Sequence, residues 1–254
     1  MHTTLKKIAF AFLLSFLLFS CKKEKYVVTK ITGSTITVDS QITSVKSITK
    51  TIEPYKEKMI KEINTKISYT PKNIVRTDGD LESSLGNLLA DLSYERANPV
   101  FNKKTGKNVD FALFNYGGIR AGIQAGNITN KHAFELMPFD NMYVVVELTG
   151  DKMEELITYL ITNKTAHPLS KHVQLTITKN GYTLFLKGKK FDKNKNYFVL
   201  TTDYLQSGGD NMVFFKNPKN IYKQDYKMRD AIVDYFKSKD TIKTVLDNRF
   251  KRNE

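Results

Sequence analysis

Two glycine pairs, each set among side chains able to hold a small polar ligand, mark where this chain could do chemistry. The first lies in Asn115-Tyr116-Gly117-Gly118-Ile119-Arg120. Adjacent glycines allow backbone conformations that other residues avoid and let a ligand come close to the main chain. Asn115 supplies an amide, and Arg120 a planar cationic fork suited to carboxylate or phosphate. The second pair lies in Asp203-Tyr204-Leu205-Gln206-Ser207-Gly208-Gly209-Asp210, beside a carboxylate, Asp210, and a ring, Tyr204. Between the two comes a further turn, Met137-Pro138-Phe139-Asp140-Asn141, with another ring at Phe139 and another amide at Asn141. Apolar walls with a few polar groups are the usual make-up of a small-molecule pocket. His167 and His172 share a loop, but no acid or cysteine lies close in sequence to complete a metal site, so no metal ligands are expected.

These turns need strands and helices to hold them. Residues 109–114 form an apolar run of strand length ahead of the first glycine pair. Residues 142–148 and Tyr197–Thr202 read as strands next to the other two turns. Residues 173–178 and 182–186, joined around Asn180-Gly181, read as a hairpin, because Asn-Gly suits the tight turn that matches strand twist. Over residues 51–66 the apolar positions Ile52, Tyr55, Met59, Ile60 and Ile63 fall on one helical face, which predicts a packing helix. A second helix is predicted over residues 81–97, with Leu85, Leu88, Leu89 and Leu92 inward. Gly86 inside it costs about 1 kcal/mol against alanine and implies close approach by another element. Asn87 and Asp91 share one of its faces. Thr149-Gly150-Asp151 opens a third helix, and residues 225–236 form a late one. Short strands are expected at 27–31 and 35–38, a turn-rich loop at 98–107, a helical turn at 130–136, a last strand or helix end within 241–250, and a frayed tail at 251–254. The fold class is α/β (α+β): a mixed sheet with packed helices in one globular domain.

With 254 residues, 41% of them hydrophobic, the chain can bury one sizeable core. The formal charge is +14, but the lysines are spread along the whole chain, so the pattern is that of solvated surface and no nucleic-acid partner is expected. Lys6 and Lys7 precede an apolar run too short to span a bilayer, followed by Ser20-Cys21, which describes a secretory signal peptide over residues 1–20. Leu18-Phe19-Ser20-Cys21 resembles a bacterial lipobox, with Phe19 bulkier than usual. The resemblance implies cleavage before Cys21 and lipidation of Cys21, the only cysteine. The expected location is therefore the bacterial cell envelope, as a periplasm-facing membrane lipoprotein held by its lipid anchor. Residues 21–41 would be a leader or linker, and 42–254 the folded domain.

Five pieces taken together resemble the substrate-binding, C-terminal domain of the 5'-nucleotidase family. They are Glu82-Ser83-Ser84-Leu85-Gly86-Asn87-Leu88-Leu89-Ala90-Asp91, the two glycine-pair motifs, Met137-Pro138-Phe139-Asp140-Asn141, and Leu148-Thr149-Gly150, in the family's order. The resemblance implies a substrate-binding set of Asn115, Gly117, Gly118, Arg120, Phe139, Asn141, Tyr204, Gly208, Gly209 and Asp210. Phe139 and Tyr204 would stack on a nucleobase, a contact worth about 1–3 kcal/mol per base. Asn115 and Asn141 would meet the base or ribose edge, Arg120 the phosphate side or the ribose, and Asp210 the ribose hydroxyls. Tyr204 stands where the family usually has phenylalanine. The helix over residues 81–97 also departs from some family members, which carry arginines there or just before it to hold phosphate.

Full-length members of that family carry a metallophosphoesterase domain whose Asp, His and Asn ligands hold two metals. No such motif occurs in this chain, whose four histidines are His2, His132, His167 and His172. The expected function is recognition of a nucleotide or nucleoside, with no catalytic residue and no cofactor in this chain. Divalent metals would be carried only by a partner, a separate metallophosphoesterase chain that hydrolyses the phosphate ester. Two alternatives stand beside it: a self-sufficient hydrolase using Asp203, Asp210 and Arg120, or a non-catalytic envelope interaction protein whose pocket has decayed.

Overall fold

The computed structural model describes residues 25–253, so the expected signal peptide and the lipidation site at Cys21 lie outside the described residues. The chain divides into two units, Met1–Thr49 and Lys50–Glu254. In the first, residues 25–45 are exposed and hold neither strand nor helix, which corrects the strands expected at 27–31 and 35–38. Their Thr- and Val-rich composition favours strand, but a strand persists only where a neighbour pairs with its backbone and covers a face.

Helix α1, Lys46–Ile63, forms as its periodicity requires, yet none of its residues is buried. The packing role expected for it is therefore corrected: Ile52, Tyr55, Met59 and Ile60 all stay exposed. Strand β1, Lys66–Thr70, pairs antiparallel with β3, Gly126–Thr129. Helix α2, Ser84–Thr105, starts where Ser83 Oγ accepts the Gly86 N–H at 3.0 Å and ends at Gly106 in the left-handed conformation. It was expected to stop near Ala97, with a loop at 98–107, but it runs on through Pro99. Proline removes one ladder bond. Phe101 in the following turn is buried against Phe198 and Tyr222, and this packing holds the extension in place.

The central sheet has the order β2–β8–β4–β9, from β2, Phe111–Ala112, β8, Tyr197–Thr202, β4, Met142–Leu148, and β9, Asn220–Lys227. Strand β2 runs parallel to β8, and β4 runs antiparallel to both β8 and β9. Strand β9 takes residues expected in the late helix, so that helix, α6, spans Met228–Lys237. Helix α2 packs on β2 and β9 and against α6. Tyr143 of β4 is fully buried there, its hydroxyl donating to Ser93 Oγ of α2 at 2.6 Å. Helix α3, Asn130–Leu136, precedes β4, and α4, Gly150–Asn163, follows it, capped by Thr149.

A second sheet has the order β10–β5–β6–β7. Strands β5, Val173–Thr178, and β6, Gly181–Leu186, form the expected hairpin, with Thr178 opposite Gly181, and β7, Lys189–Lys190, pairs with β6. Strand β10, Phe250–Arg252, lies parallel to β5, so the tail expected to fray is paired as far as Arg252. The preceding residue, Arg249, is buried. Its guanidinium forks onto Asp91 at 3.0 Å for both nitrogens and onto Asp247 at 2.7 and 2.8 Å, locking the C-terminal segment to α2.

Candidate functional site

Sheet topology brings the three turns to one edge. Strands β2 and β8 are parallel neighbours, with Phe111 opposite Val199 and Ala112 opposite Leu200, so their C-terminal ends emerge side by side. The first glycine pair follows β2, as a 3₁₀ turn over Tyr116–Gly118. Helix α5, Asp203–Gln206, and the second pair follow β8. Strand β4 is antiparallel to β8, with Tyr143 opposite Thr202, so the turn that precedes β4 arrives at the same edge. There Asp203 Oδ1 accepts the Met142 N–H at 3.1 Å, tying the Phe139–Asn141 turn to α5. Ligand crevices in open α/β sheets lie at such strand ends for the same geometric reason.

Asn115, Gly117, Gly118, Arg120, Phe139, Asn141, Tyr204 and Asp210 together line one open cleft of about 280 Å³. Gly208 and Gly209, the two remaining residues of the expected set, do not line it; they shape the loop behind. Gly208 adopts φ 94°, which only glycine takes readily, and Asp210 itself is held at φ 51°. A Cβ on Gly209 would overlap the Tyr204 ring, and one on Gly118 would lie 2.8 Å from Asn115 Oδ1. At Gly209 and Gly118, then, glycine serves close approach, since neither has positive φ.

The cleft is cross-linked by its own polar groups. Asn115 Nδ2 donates to Asp210 Oδ2 at 2.6 Å, and the Tyr204 hydroxyl donates to Asp210 Oδ1 at 2.9 Å. That second bond, with some desolvation, raises the Tyr204 phenol above its ordinary range. Behind the carboxylate, the Tyr159 hydroxyl of α4 donates to the Asp210 carbonyl at 2.9 Å. Arg120 lies with its guanidinium carbon 5.9 Å from the Phe139 ring centroid and donates to the Gly117 carbonyl at 3.3 Å. Phe139 is 40% exposed and Tyr204 44%, so both rings offer a face to solvent.

Three residues support the cleft in roles that the sequence does not suggest. Arg76 donates to the carbonyls of Ile119 at 2.6 Å and Tyr116 at 3.3 Å, with its guanidinium 4.4 Å over the Tyr116 ring, and so clamps the first glycine turn. Buried His167 accepts the Tyr116 N–H through Nδ1 at 3.1 Å. Burial pushes its pKa down to about 4, against an opposing pull from the Asp210 charge, so the ring is a neutral acceptor. Tyr159 is the third. All three act through backbone atoms, which no motif of side-chain types records. His172 serves elsewhere, stacked on Tyr94 at 3.8 Å between centroids. Asn87 and Asp91 likewise face away from the cleft, Asn87 donating to Glu82 and Asp91 accepting from Arg249.

The sequence profile described as 5'-nucleotidase, C-terminal domain matches residues 60–217, more than half of the chain. A Vibrio vulnificus 5'-nucleotidase is 26% identical over 183 residues, covering 68% of this chain and 31% of that protein. A Listeria monocytogenes cell wall protein is 30% identical over 213 residues, covering 74% of this chain and 26% of its own length. The fold is similar to the crystal structure of a 5'-nucleotidase precursor from Thermus thermophilus, with a TM-score of 0.65 at 20% identity, covering 82% of this chain and 43% of the other. The chain thus spans about a third of the length of the curated relatives it matches.

Proposed function

The chain belongs to the 5'-nucleotidase C-terminal domain family, and on that premise we propose that its cleft binds a nucleotide or nucleoside. The observation that carries the reading is the convergence of two exposed rings, a guanidinium, two amides and a carboxylate, from three separate turns, on one cleft. A planar base slides against Phe139 and Tyr204, Asn141 and Asn115 meet its edge or the ribose, Asp210 accepts from the sugar, and Arg120 lies toward the phosphate side. A decayed pocket would leave the rings packed on the core; here both are open.

Hydrolysis in this reading is the work of a separate metallophosphoesterase that carries the divalent metals. The protein would act in nucleotide breakdown at the bacterial envelope, held to the membrane by a lipid on Cys21. The cell wall relative supports that location.

Isothermal titration with adenosine, AMP and UDP-glucose tests the binding reading. At least one should bind, and Phe139→Ala should weaken it at least tenfold, the loss expected for one stacking face. A folded protein that binds none of the three, with or without a partner enzyme, refutes it. Cys21→Ser should move the protein from the membrane to the soluble fraction.

A further inference from the structure

The two rings of the cleft are held in place by different means. Tyr204 carries its own polar handle. Its hydroxyl bonds Asp210 at 2.9 Å, and its ring lies over Gly209, where a side chain would overlap it. Phe139 has no polar atom on its side chain and is 40% exposed, so no surrounding core fixes it. It sits on the turn between α3 and β4, and its ring stands where the backbone of that turn is held.

One residue outside the cleft reaches that backbone. Arg229, in the first turn of α6, donates through Nη1 to the Phe139 carbonyl at 3.4 Å and through Nη2 to the Asp140 carboxylate. Lys227 Nζ lies 3.4 Å from the same carboxylate, and the two cations, Arg229 foremost, hold the Asp140 carboxyl below its ordinary range. The adjoining backbone is tied to α6 as well, the Met228 N–H donating to the Asn141 carbonyl at 3.0 Å. The guanidinium is itself seated. Its side chain is 14% exposed, its carbon lies 4.7 Å from the Phe134 ring centroid of α3, and its Nε is buried without a hydrogen-bond partner among the described residues. A planar fork suits this double grip on a carbonyl and a carboxylate, where a single ammonium does not. Arg229 does not line the cleft, so it acts on a ligand through the turn it holds.

Resting on the nucleoside reading above, we propose that Arg229 is a positioning residue for this site: by gripping residues 139 and 140 it holds the Phe139 ring ready at the cleft before a base arrives. A ligand that finds the ring in place does not have to order it, and that cost is absent from binding. The brace serves the stacking face alone. Asn115, Tyr204 and Asp210 hold one another and do not depend on it.

The test is a double-mutant cycle, by calorimetric titration of adenosine into the full chain, Arg229→Met, Phe139→Ala and the two combined, with urea unfolding confirming that each is folded. Methionine keeps an apolar stem beside Phe134 and removes the fork. The Asp140 side chain is 67% exposed and keeps Lys227, so no buried charge is stranded. Arg229→Met should bind adenosine about fivefold more weakly, the cost of ordering one side chain on binding. In the Phe139→Ala background the same substitution should change affinity by less than about twofold, because the ring it positions is gone. Equal losses in the two backgrounds overturn the proposal, since Arg229 would then support the cleft as a whole. So does an Arg229→Met variant that binds as wild type does. If Arg229→Met does not fold, Arg229→Lys carries the cycle with the same expectation, because one ammonium cannot serve both acceptors. Wild-type protein that binds no adenosine, or a Phe139→Ala variant that binds as wild type does, refutes the nucleoside reading itself and takes this inference with it.

Discussion

The side chains of Asn115 and Asp210 meet at 2.6 Å although 95 positions separate them in the chain. The contact exists because β2 and β8 are parallel neighbours whose ends deliver one residue each to the same edge. It fixes the spacing of the two glycine turns, and anything that turns the Asn115 amide away should open the cleft without unfolding the domain.

Gly118→Ala is the most direct way to do this. The new Cβ would press on Asn115 Oδ1 from 2.8 Å, while the backbone at Gly118 has ordinary negative φ, so the strain falls on the amide. Nucleoside affinity should drop about tenfold, the value of a hydrogen bond to a charged group. Urea unfolding should shift by less than about 1 kcal/mol, because the amide is at the cleft and can rotate. An unfolding shift larger than the binding loss would mean that the turn, not the cleft, depends on this glycine.

The C-terminal lock makes a contrasting prediction. Arg249 has a side chain only 3% exposed and bridges Asp91 of α2 and Asp247. Arg249→Met removes the cation and leaves two carboxylates facing each other, which should cost about 3–5 kcal/mol in chemical denaturation. Arg249→Lys should recover only part of it, since one ammonium cannot fork to both acids. Both variants lie away from the cleft, so binding by whatever fraction stays folded should be unchanged.

What could be read from the sequence, and what could not, follows from the range of the forces involved. The Asn180-Gly181 hairpin, the Thr149 cap and the helical stripes are local signals, and each produced its element. Strand β9 is hidden because Asn220, Lys223, Gln224, Asp225 and Lys227 interrupt its strand formers, and it becomes strand through pairing with β4. The late helix therefore starts at Met228, three residues after the expected 225. The continuation of α2 past Pro99 depended on Phe101 finding Phe198 and Tyr222, contacts that no local window contains. At the candidate site, the cleft-lining side chains were legible as types and spacings. Arg76, His167 and Tyr159 were not, because they brace carbonyls and N–H groups of the turns.

Helix α1 tests how far periodicity can mislead. Its stripe has the spacing of a core-facing helix, yet Ile52 and Met59 are exposed. Ile52→Gln and Met59→Gln should each change unfolding free energy by less than about 0.5 kcal/mol. Leu85→Ala, at a fully buried position of α2, should cost about 2–5 kcal/mol by the same denaturation measurement. A large loss at Ile52 would show that the stripe is covered in solution.

The last prediction concerns acid. His167 is buried and neutral, with its pKa pushed down to about 4 by desolvation. An unfolded histidine titrates near its ordinary value of about 6.5. Between those two values the unfolded chain binds the proton and the folded one does not, so stability must fall as pH drops from about 6.5 toward 4. Protonation would also convert Nδ1 from acceptor to donor and break its bond with the Tyr116 N–H, loosening the first glycine turn. His167→Gln removes the titration and keeps an acceptor within reach. Its unfolding free energy should lie below that of wild type at pH 7.5, and the gap should narrow by on the order of 2 kcal/mol at pH 4.5. Nucleoside affinity of the folded wild type should hold over the same range, because its ring stays mostly neutral and keeps the bond with the Tyr116 N–H. Parallel pH profiles for the two proteins would mean that His167 takes up its proton as readily in the folded chain as in the unfolded one, and that the acid sensitivity of the fold lies in its carboxylates.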